Sequence, residues 1–243
     1  MLLLIALGAF CSTFIGGLFA IRLTDKLHLV LGFSAGAVLA VALADLLPEA
    51  LAMGEPNHSP TSLLGWLMLS FLSYLVLDRL KLLYRGAASD LPSRRNARVD
   101  LAMLGAGTLS VHSFLDGVAI GIAFQASAAV GAIVTLAVLT HDFSDGINTV
   151  NVVVKNGGTR RLALQWLVLD AIAPLAGVVS TLFFSIGRAG LGVTLAIFAG
   201  FFLYIGASDL IPESYHAHPR TFTTAMTLVG AAVIYGAVWV AGG

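Results

Sequence analysis

Two short stretches carry residue types suited to metal chemistry. His112-Ser113-Phe114-Leu115-Asp116-Gly117 and His141-Asp142-Phe143-Ser144-Asp145-Gly146 repeat one pattern: a histidine, an aspartate four places on, then glycine. Four residues is about one helical turn, so a helical copy presents an imidazole and a carboxylate on one face. Two such faces turned toward each other supply four ligands of the kind a divalent cation takes. His112, Asp116, His141 and Asp145 are therefore the candidate metal ligands. Asn148 extends the second stripe by a turn. Ser113 and Asp142 each follow a histidine directly, about 100° around the helix, and mark a candidate adjoining subsite.

Ligand type narrows the ion. Imidazole with carboxylate, and no thiolate or thioether, suits Zn²⁺, Fe²⁺, Mn²⁺, Co²⁺ or Ni²⁺ and disfavours Cu⁺. An all-oxygen Mg²⁺ or Ca²⁺ site has little use for two histidines. Cys11 is the single cysteine, which excludes an intramolecular disulfide and any multi-cysteine metal site.

The elements that must position these groups are membrane helices. The chain is 58% hydrophobic and 11% charged, with a mean hydropathy of +0.93, far more apolar than a soluble domain. Runs long enough to cross a hydrocarbon core fall at roughly 1–21, 28–53, 62–84, 100–125, 128–154, 161–185, 190–216 and 221–241. That is about eight spans in a single transmembrane domain, 1–243. Met1-Leu2-Leu3-Leu4-Ile5 lacks a basic region, so it reads as the first span rather than a secretory signal.

Basic residues set the expected orientation. With the N-terminus outside, Arg22, Lys26, Arg79, Lys81, Arg85, Arg94, Arg95, Arg98, Lys155, Arg160, Arg161 and Arg220 lie at cytoplasmic ends, and Arg188 alone lies outside. Both termini are then extracytoplasmic. The stretch 85–99, with Pro92 and its arginines, reads as a mobile cytoplasmic loop.

Ala44-Asp45-Leu46-Leu47-Pro48-Glu49-Ala50 in span two is echoed by Ser208-Asp209-Leu210-Ile211-Pro212-Glu213-Ser214 in span seven. The two spans run in opposite directions, which places the copies near opposite membrane faces. An all-α fold in a 3+2+3 arrangement, with spans 1–3 and 6–8 as an inverted repeat, accounts for this. Pro48, Pro174 and Pro212 break their helices, which a membrane tolerates where protein or a watery cavity satisfies the freed carbonyls.

His112 and His141 fall about half-way along adjacent antiparallel spans, near the bilayer midplane. A charged Asp there costs about 2.5–3.5 kcal/mol on insertion scales, while an interhelical hydrogen bond returns about 0.6 kcal/mol. A purely structural role does not balance that cost. A bound divalent cation or a water-filled path offsets it directly.

The paired H-x-x-x-D-G helices, the D-L-L-P-E and D-L-I-P-E spans, the eight-span pattern and the outward termini resemble the ZIP (Zrt/Irt-like) family of divalent metal transporters, bacterial members included. The resemblance covers nearly the whole chain. It implies movement of zinc, or of iron, manganese or cadmium, toward the cytoplasm across a bacterial inner (plasma) membrane. Zn²⁺ would be bound substrate and no prosthetic group is implied. The implied partners are divalent ions and membrane lipid, with no nucleic acid. A homodimer is compatible with the resemblance, while small-residue faces such as Gly16-Gly17 and Gly105/Gly107 permit close helix packing without specifying a subunit partner. Carried over by motif, His112 with Asp116 and His141 with Asp145 match the family's metal pairs, and Ser113 and Asp142 its adjoining subsite. This chain departs from many members at Ser113 (Asn there), at Asp116 and Asp145 (Glu there) and at Asp45 (often His). Ala173 stands before Pro174 where relatives have Glu, and the nearest carboxylate is Asp170, about one turn away.

The expected route runs from Asp45 and Glu49 near the outer face, through the centre and Asn148, to Asp209, Glu213, His216 and His218 near the inner face, with spans four and five moving against the rest. Two other classes use the same residue types: a membrane-embedded zinc hydrolase activating water, and a proton-coupled solute carrier. The absence of H-E-x-x-H and the inverted repeat weigh against the hydrolase.

Overall fold

Local breakers decide where the apolar runs end. The structure is a computed structural model that describes residues 2–20, 27–55, 57–89, 94–215 and 220–242. In it α1 is Leu2–Ala20, α3 Pro60–Ser89, α4 Arg94–Ala126, α5 Ala128–Lys155 and α8 Arg220–Gly242. α2 runs from Leu27–Val41 through a π-helical turn, Ala42–Leu46, into Leu47–Gly54. α6 is Arg160–Ser180 followed by a 3₁₀ turn, Thr181–Phe183. α7 runs from Arg188–Tyr204 through a π-helical segment, Ile205–Leu210, into Ile211–Ser214. All eight carry a segment long and apolar enough to cross a membrane, and no strand occurs among the described residues. The protein is an all-α integral membrane protein.

The connection expected at 85–99 is shorter than the sequence reading gave it. The backbone stays helical to Ser89 and resumes at Arg94. Arg, Lys, Ala and Leu are good helix formers, so charge alone does not end α3. Elsewhere side chains cap the helix starts, and α6 runs on through Pro174. Ser127 accepts from the Val130 amide at 3.1 Å and caps α5, and Thr159 does the same for α6 through Leu162, at 3.2 Å.

The π-helical segments of α2 and α7 lie at the two D-[LI]-x-P-E copies and end just ahead of Pro48 and Pro212. Proline donates no hydrogen bond and crowds the preceding turn. A wider turn absorbs that break without ending the span, and such turns are frequent at functional sites.

Packing sorts the helices into two groups. α1, α4, α5 and α6 pack chiefly on one another, and so do α2, α3, α7 and α8. α5 is at the centre, with 72% of its membrane window buried, while α3 and α8 bury 11% and 17% and face outward. Within the first group the contacts are at backbone level. A side chain at Gly146 would strike the Thr13 carbonyl of α1, and one at Gly117 the Pro174 carbonyl of α6. The glycine ending each H-x-x-x-D-G copy therefore serves close helix packing.

Three connections join the two groups: 21–26, 90–93 and 184–187. The third is tied to α4. Gln125 Nε2 donates to the Thr181 and Phe184 carbonyls at 3.3 and 3.0 Å, and its Oε1 accepts from the Ile186 amide at 3.0 Å.

Candidate metal centre

α4 and α5 are antiparallel neighbours joined through Ser127, and this places their doubled motif at one level. His112 Nε2 lies 3.3 Å from Asp116 Oδ2 and 3.5 Å from Asp145 Oδ2. His141 Nε2 lies 3.3 Å from Asp116 Oδ2 and 3.9 Å from Asp145 Oδ2. One ligand atom from each of the four residues lies within 4.8 Å of the others. Ligands about 2.0–2.1 Å from a tetrahedral Zn²⁺ stand about 3.3 Å apart; the two shortest separations match that spacing, and the wider ones would have to draw in to close a shell. They exceed the usual span of a hydrogen bond.

All four residues are buried, His141 completely. His141 Nε2, Asp116 Oδ2 and Asp145 Oδ2 have no hydrogen-bond partner. Buried polar atoms are normally satisfied, and three such atoms converging on one point mark a place for a cation. His141 Nδ1 donates to the Ala137 carbonyl at 3.0 Å. That bond fixes the tautomer and turns the Nε2 lone pair into the site. Two ionised carboxylates would also balance the charge of a divalent ion, which is what a low-dielectric site requires.

Aromatic rings bound the centre. Phe202, almost fully buried, stands edge-on to His141 at 5.8 Å between ring centres. Tyr74 stands edge-on to His112 at 6.2 Å.

The adjoining residues form a second polar cluster. Asp170, fully buried on α6, accepts from Ser113 Oγ at 2.9 Å and from Thr149 Oγ1 at 2.8 Å. It links α4, α5 and α6 one turn before the Ala173 position. Asp142 Oδ1 lies 4.0 Å from His141 Nε2, and neither Asp142 oxygen has a hydrogen-bond partner.

The acidic stations differ in setting. Asp45 is buried and its Oδ2 is unpartnered, while Glu49 is half-buried. Asn148, Asp209 and Glu213 line a cavity of about 510 Å³ that reaches His112 and Asp145. His216 and His218 lie outside the described residues.

The same cavity is lined by Asp78, Asn151 and Asn156, which the sequence reading did not select. Tyr204 donates from its hydroxyl to Asp78 Oδ2 at 3.2 Å. Asp145, Asn148 and Asn151 form a polar stripe at three-residue spacing, a signal that extends the α5 motif. Asp78 sits beside Arg79 and Lys81, where a carboxylate reads as an ordinary helix-end charge.

Comparison with known proteins gives a consistent picture. Residues 90–237 match the family model described as ZIP Zinc transporter. The chain is 29% identical to zinc transporter SLC39A7 of Mus musculus over 133 residues, 50% of this chain and 28% of the mouse protein. It is 31% identical to the Homo sapiens zinc transporter ZIP6 over 135 residues, 51% of this chain and 18% of that protein. Against the human zinc transporter ZIP10 it is 33% identical over 109 residues, 44% of this chain and 13% of the relative. The chain thus spans less than a third of the length of each of these relatives.

Proposed function

The chain belongs to the ZIP zinc transporter family, and on that premise we propose that it moves divalent transition-metal ions across the membrane toward the cytoplasm. Zinc is the foremost substrate in this reading, with iron, manganese and cadmium as competitors. The observation that carries it is the convergence of His112, Asp116, His141 and Asp145 on one buried point, with three facing atoms unpartnered. Family membership decides against the hydrolase reading.

The route in this proposal has three parts. Asp45 and Glu49 attract the hydrated ion at the outer side. The four-residue centre takes it at the midplane, replacing part of its hydration shell with imidazole and carboxylate. Asp209, Glu213 and Asn148 then receive it in the polar cavity, together with Asp78. Ser113, Asp142 and Asp170 adjoin the centre as a second station. Ser113 and Thr149 hold Asp170 in place, so this station needs a small rearrangement before Asp170 is able to ligate.

The conformation fits an inward-open stage. Val134 and Val138 precede His141 on α5, whereas Asn148, Asn151 and Asn156 of the cavity follow it, and with Val38, Val41, Leu46 and Phe202 these valines belong to one buried apolar cluster. A hydrated ion does not cross such a layer without its parting. With both termini extracytoplasmic, the cavity opens toward the cytoplasm. The matched π-helical segments of α2 and α7, and the equivalent packing of α1 on α5 and α6 on α4, support an inverted repeat of α1–α3 and α6–α8. Backbone contacts at Gly146 and Gly117 bind α1 and α6 to the metal helices. The moving unit in this reading is therefore α1, α4, α5 and α6 together, rather than α4 and α5 alone.

Uptake of radioactive zinc into proteoliposomes tests the proposal. Transport is expected in the native protein, with competition by other divalent ions, and is expected to fail in His112→Ala and Asp145→Ala. Unchanged transport in those two variants would sink the assignment of the centre.

A further inference from the structure

A second cavity lies on the flank of the bundle. A groove of about 850 Å³ runs between α3 and α4. Its walls include Leu77 and Leu80 of α3, Leu104, Val111 and Leu115 of α4, and Phe201 of α7. Its polar residues are Tyr74, Thr108 and His112, and these three also line the polar cavity. α3 and α4 pack far less on each other than α3 packs on α7 or α4 on α6, which leaves the groove open.

We propose that this groove holds one acyl chain of a membrane phospholipid, drawn from the leaflet bordering the α3–α4 connection. Tyr74 is the partition that keeps the chain out of the metal path. The proposal needs only that the helices span a membrane. It rests on the transport reading for one point alone, that the polar cavity is the metal path.

Three observations support an acyl chain. First, the groove is continuous with the surface that meets the bilayer. Leu77, Leu80 and Val111 are 56%, 54% and 61% exposed, and at these positions exposure means contact with hydrocarbon. Second, its length fits. From Met103 to Leu115 a helix rises about 18 Å, close to half of a hydrocarbon core about 30 Å thick. A chain entering at Leu80 and Met103 would end near Leu115 and Phe201, at the level of His112. Third, its chemistry fits. Water finds few polar partners along these walls, while a void would forfeit the dispersion contacts that a methylene chain supplies.

Tyr74 is held for the task. Its ring packs at 4.9 Å from that of Tyr204 and 5.9 Å from that of Phe201, and stands edge-on to His112. One side of it meets the apolar groove and the other meets the cavity with Asp78 and Asp209. Without the ring, hydrocarbon and metal path would share one space around His112.

The test uses the full chain in vesicles of phosphatidylcholine bearing a diazirine on the acyl chain, irradiated without metal and mapped by mass spectrometry. Label at Leu77, Leu104, Val111 and Leu115 is expected several-fold above that at Leu228 and Val233, which lie on the exposed surface of α8. Leu104→Trp and Leu77→Trp, filling the groove from opposite walls, should each return groove labelling to the α8 level. Tyr74→Ala should carry label onto Asn148 and Asn151, and Tyr74→Phe should not. Equal labelling of groove and α8 overturns the lipid site. Cross-links between two copies through Leu77 overturn it in favour of a protein occupant. A Tyr74→Ala pattern identical to the native one overturns the partition. The readout involves no transport, so failure here is distinct from failure of the metal reading.

Discussion

Asp45 and Asp209 occupy the same place in the same motif, and their surroundings are opposite. Each lies in a π-helical segment with proline three residues on. Asp45 is buried at 7% exposure, with an oxygen that finds no partner. Asp209 lines a cavity of about 510 Å³ that ends at His112 and Asp145. Sequence and backbone alike are shared, so the difference comes from what packs against them. On the Asp45 side, Val41, Leu46 and Phe202 belong to a closed apolar cluster. On the Asp209 side, Ile205 and Leu210 belong to the same cluster, and the cavity opens beside them among Asn148, Asn151 and Glu213. A motif used twice, once shut and once open, is what alternate access requires of a single static state.

The largest expected effect comes from removing the centre that the two segments serve. His141→Ala and Asp116→Ala should each lower metal uptake by about 100-fold or more, since even residues behind a ligand are worth about 10–100-fold in affinity. Isothermal titration on the detergent-solubilised protein should lose its tight site in parallel.

A direct contrast of access comes next. In a Cys11→Ser background, Ser208→Cys should react many-fold faster than Asp45→Cys with a membrane-impermeant thiol reagent, because position 208 is exposed and position 45 is buried. Equal rates from opposite faces would remove the basis of the comparison.

Neutralising each carboxylate sharpens it further. Asp209→Asn should reduce initial uptake several-fold and leave melting unchanged. Asp45→Leu should also reduce uptake, yet raise thermal stability by about 1 kcal/mol, because an unsatisfied buried polar group costs about 1–3 kcal/mol. Stability gained with activity lost is the signature of a group kept for function. Acid should act on both sides alike. A protonated imidazole cannot ligate, so uptake should fall as acid protonates His112 and His141. The smallest effect belongs to Ser12→Ala. Its hydroxyl donates to the Leu139 carbonyl at 2.7 Å, an interhelical bond worth about 0.6 kcal/mol, and removing it should shift melting slightly and uptake not at all.

The centre was legible because its signal is local. Histidine and aspartate one turn apart on two neighbouring spans leave little freedom in how they meet, and the apolar runs announce their own lengths. The π-helical segments were half legible: Pro48 and Pro212 marked the break, and the kind of turn that absorbs it depends on neighbours. Asp78, Tyr74 and Phe202 escaped because they come from α3 and α7, and nothing within either helix states what faces it across the bundle. Asp170 shows the same limit from another side. It stands about one turn from the Ala173 position, and nothing within α6 states that packing against α4 and α5 brings it to Ser113 and Thr149.

The three hydrogen bonds of Gln125 have a mechanical meaning. Of the connections between the two helix groups, 184–187 is the one on the same side as the α4–α5 junction, and Gln125 clamps it through Ile186. The strap is thus tied to α4 over most of its length. Just beyond the last of these bonds stands Gly187, where a side chain would meet nothing within 4 Å. In the proposed movement of α1, α4, α5 and α6, Gln125 would carry this strap along with α4 and leave Gly187 as its first untied residue.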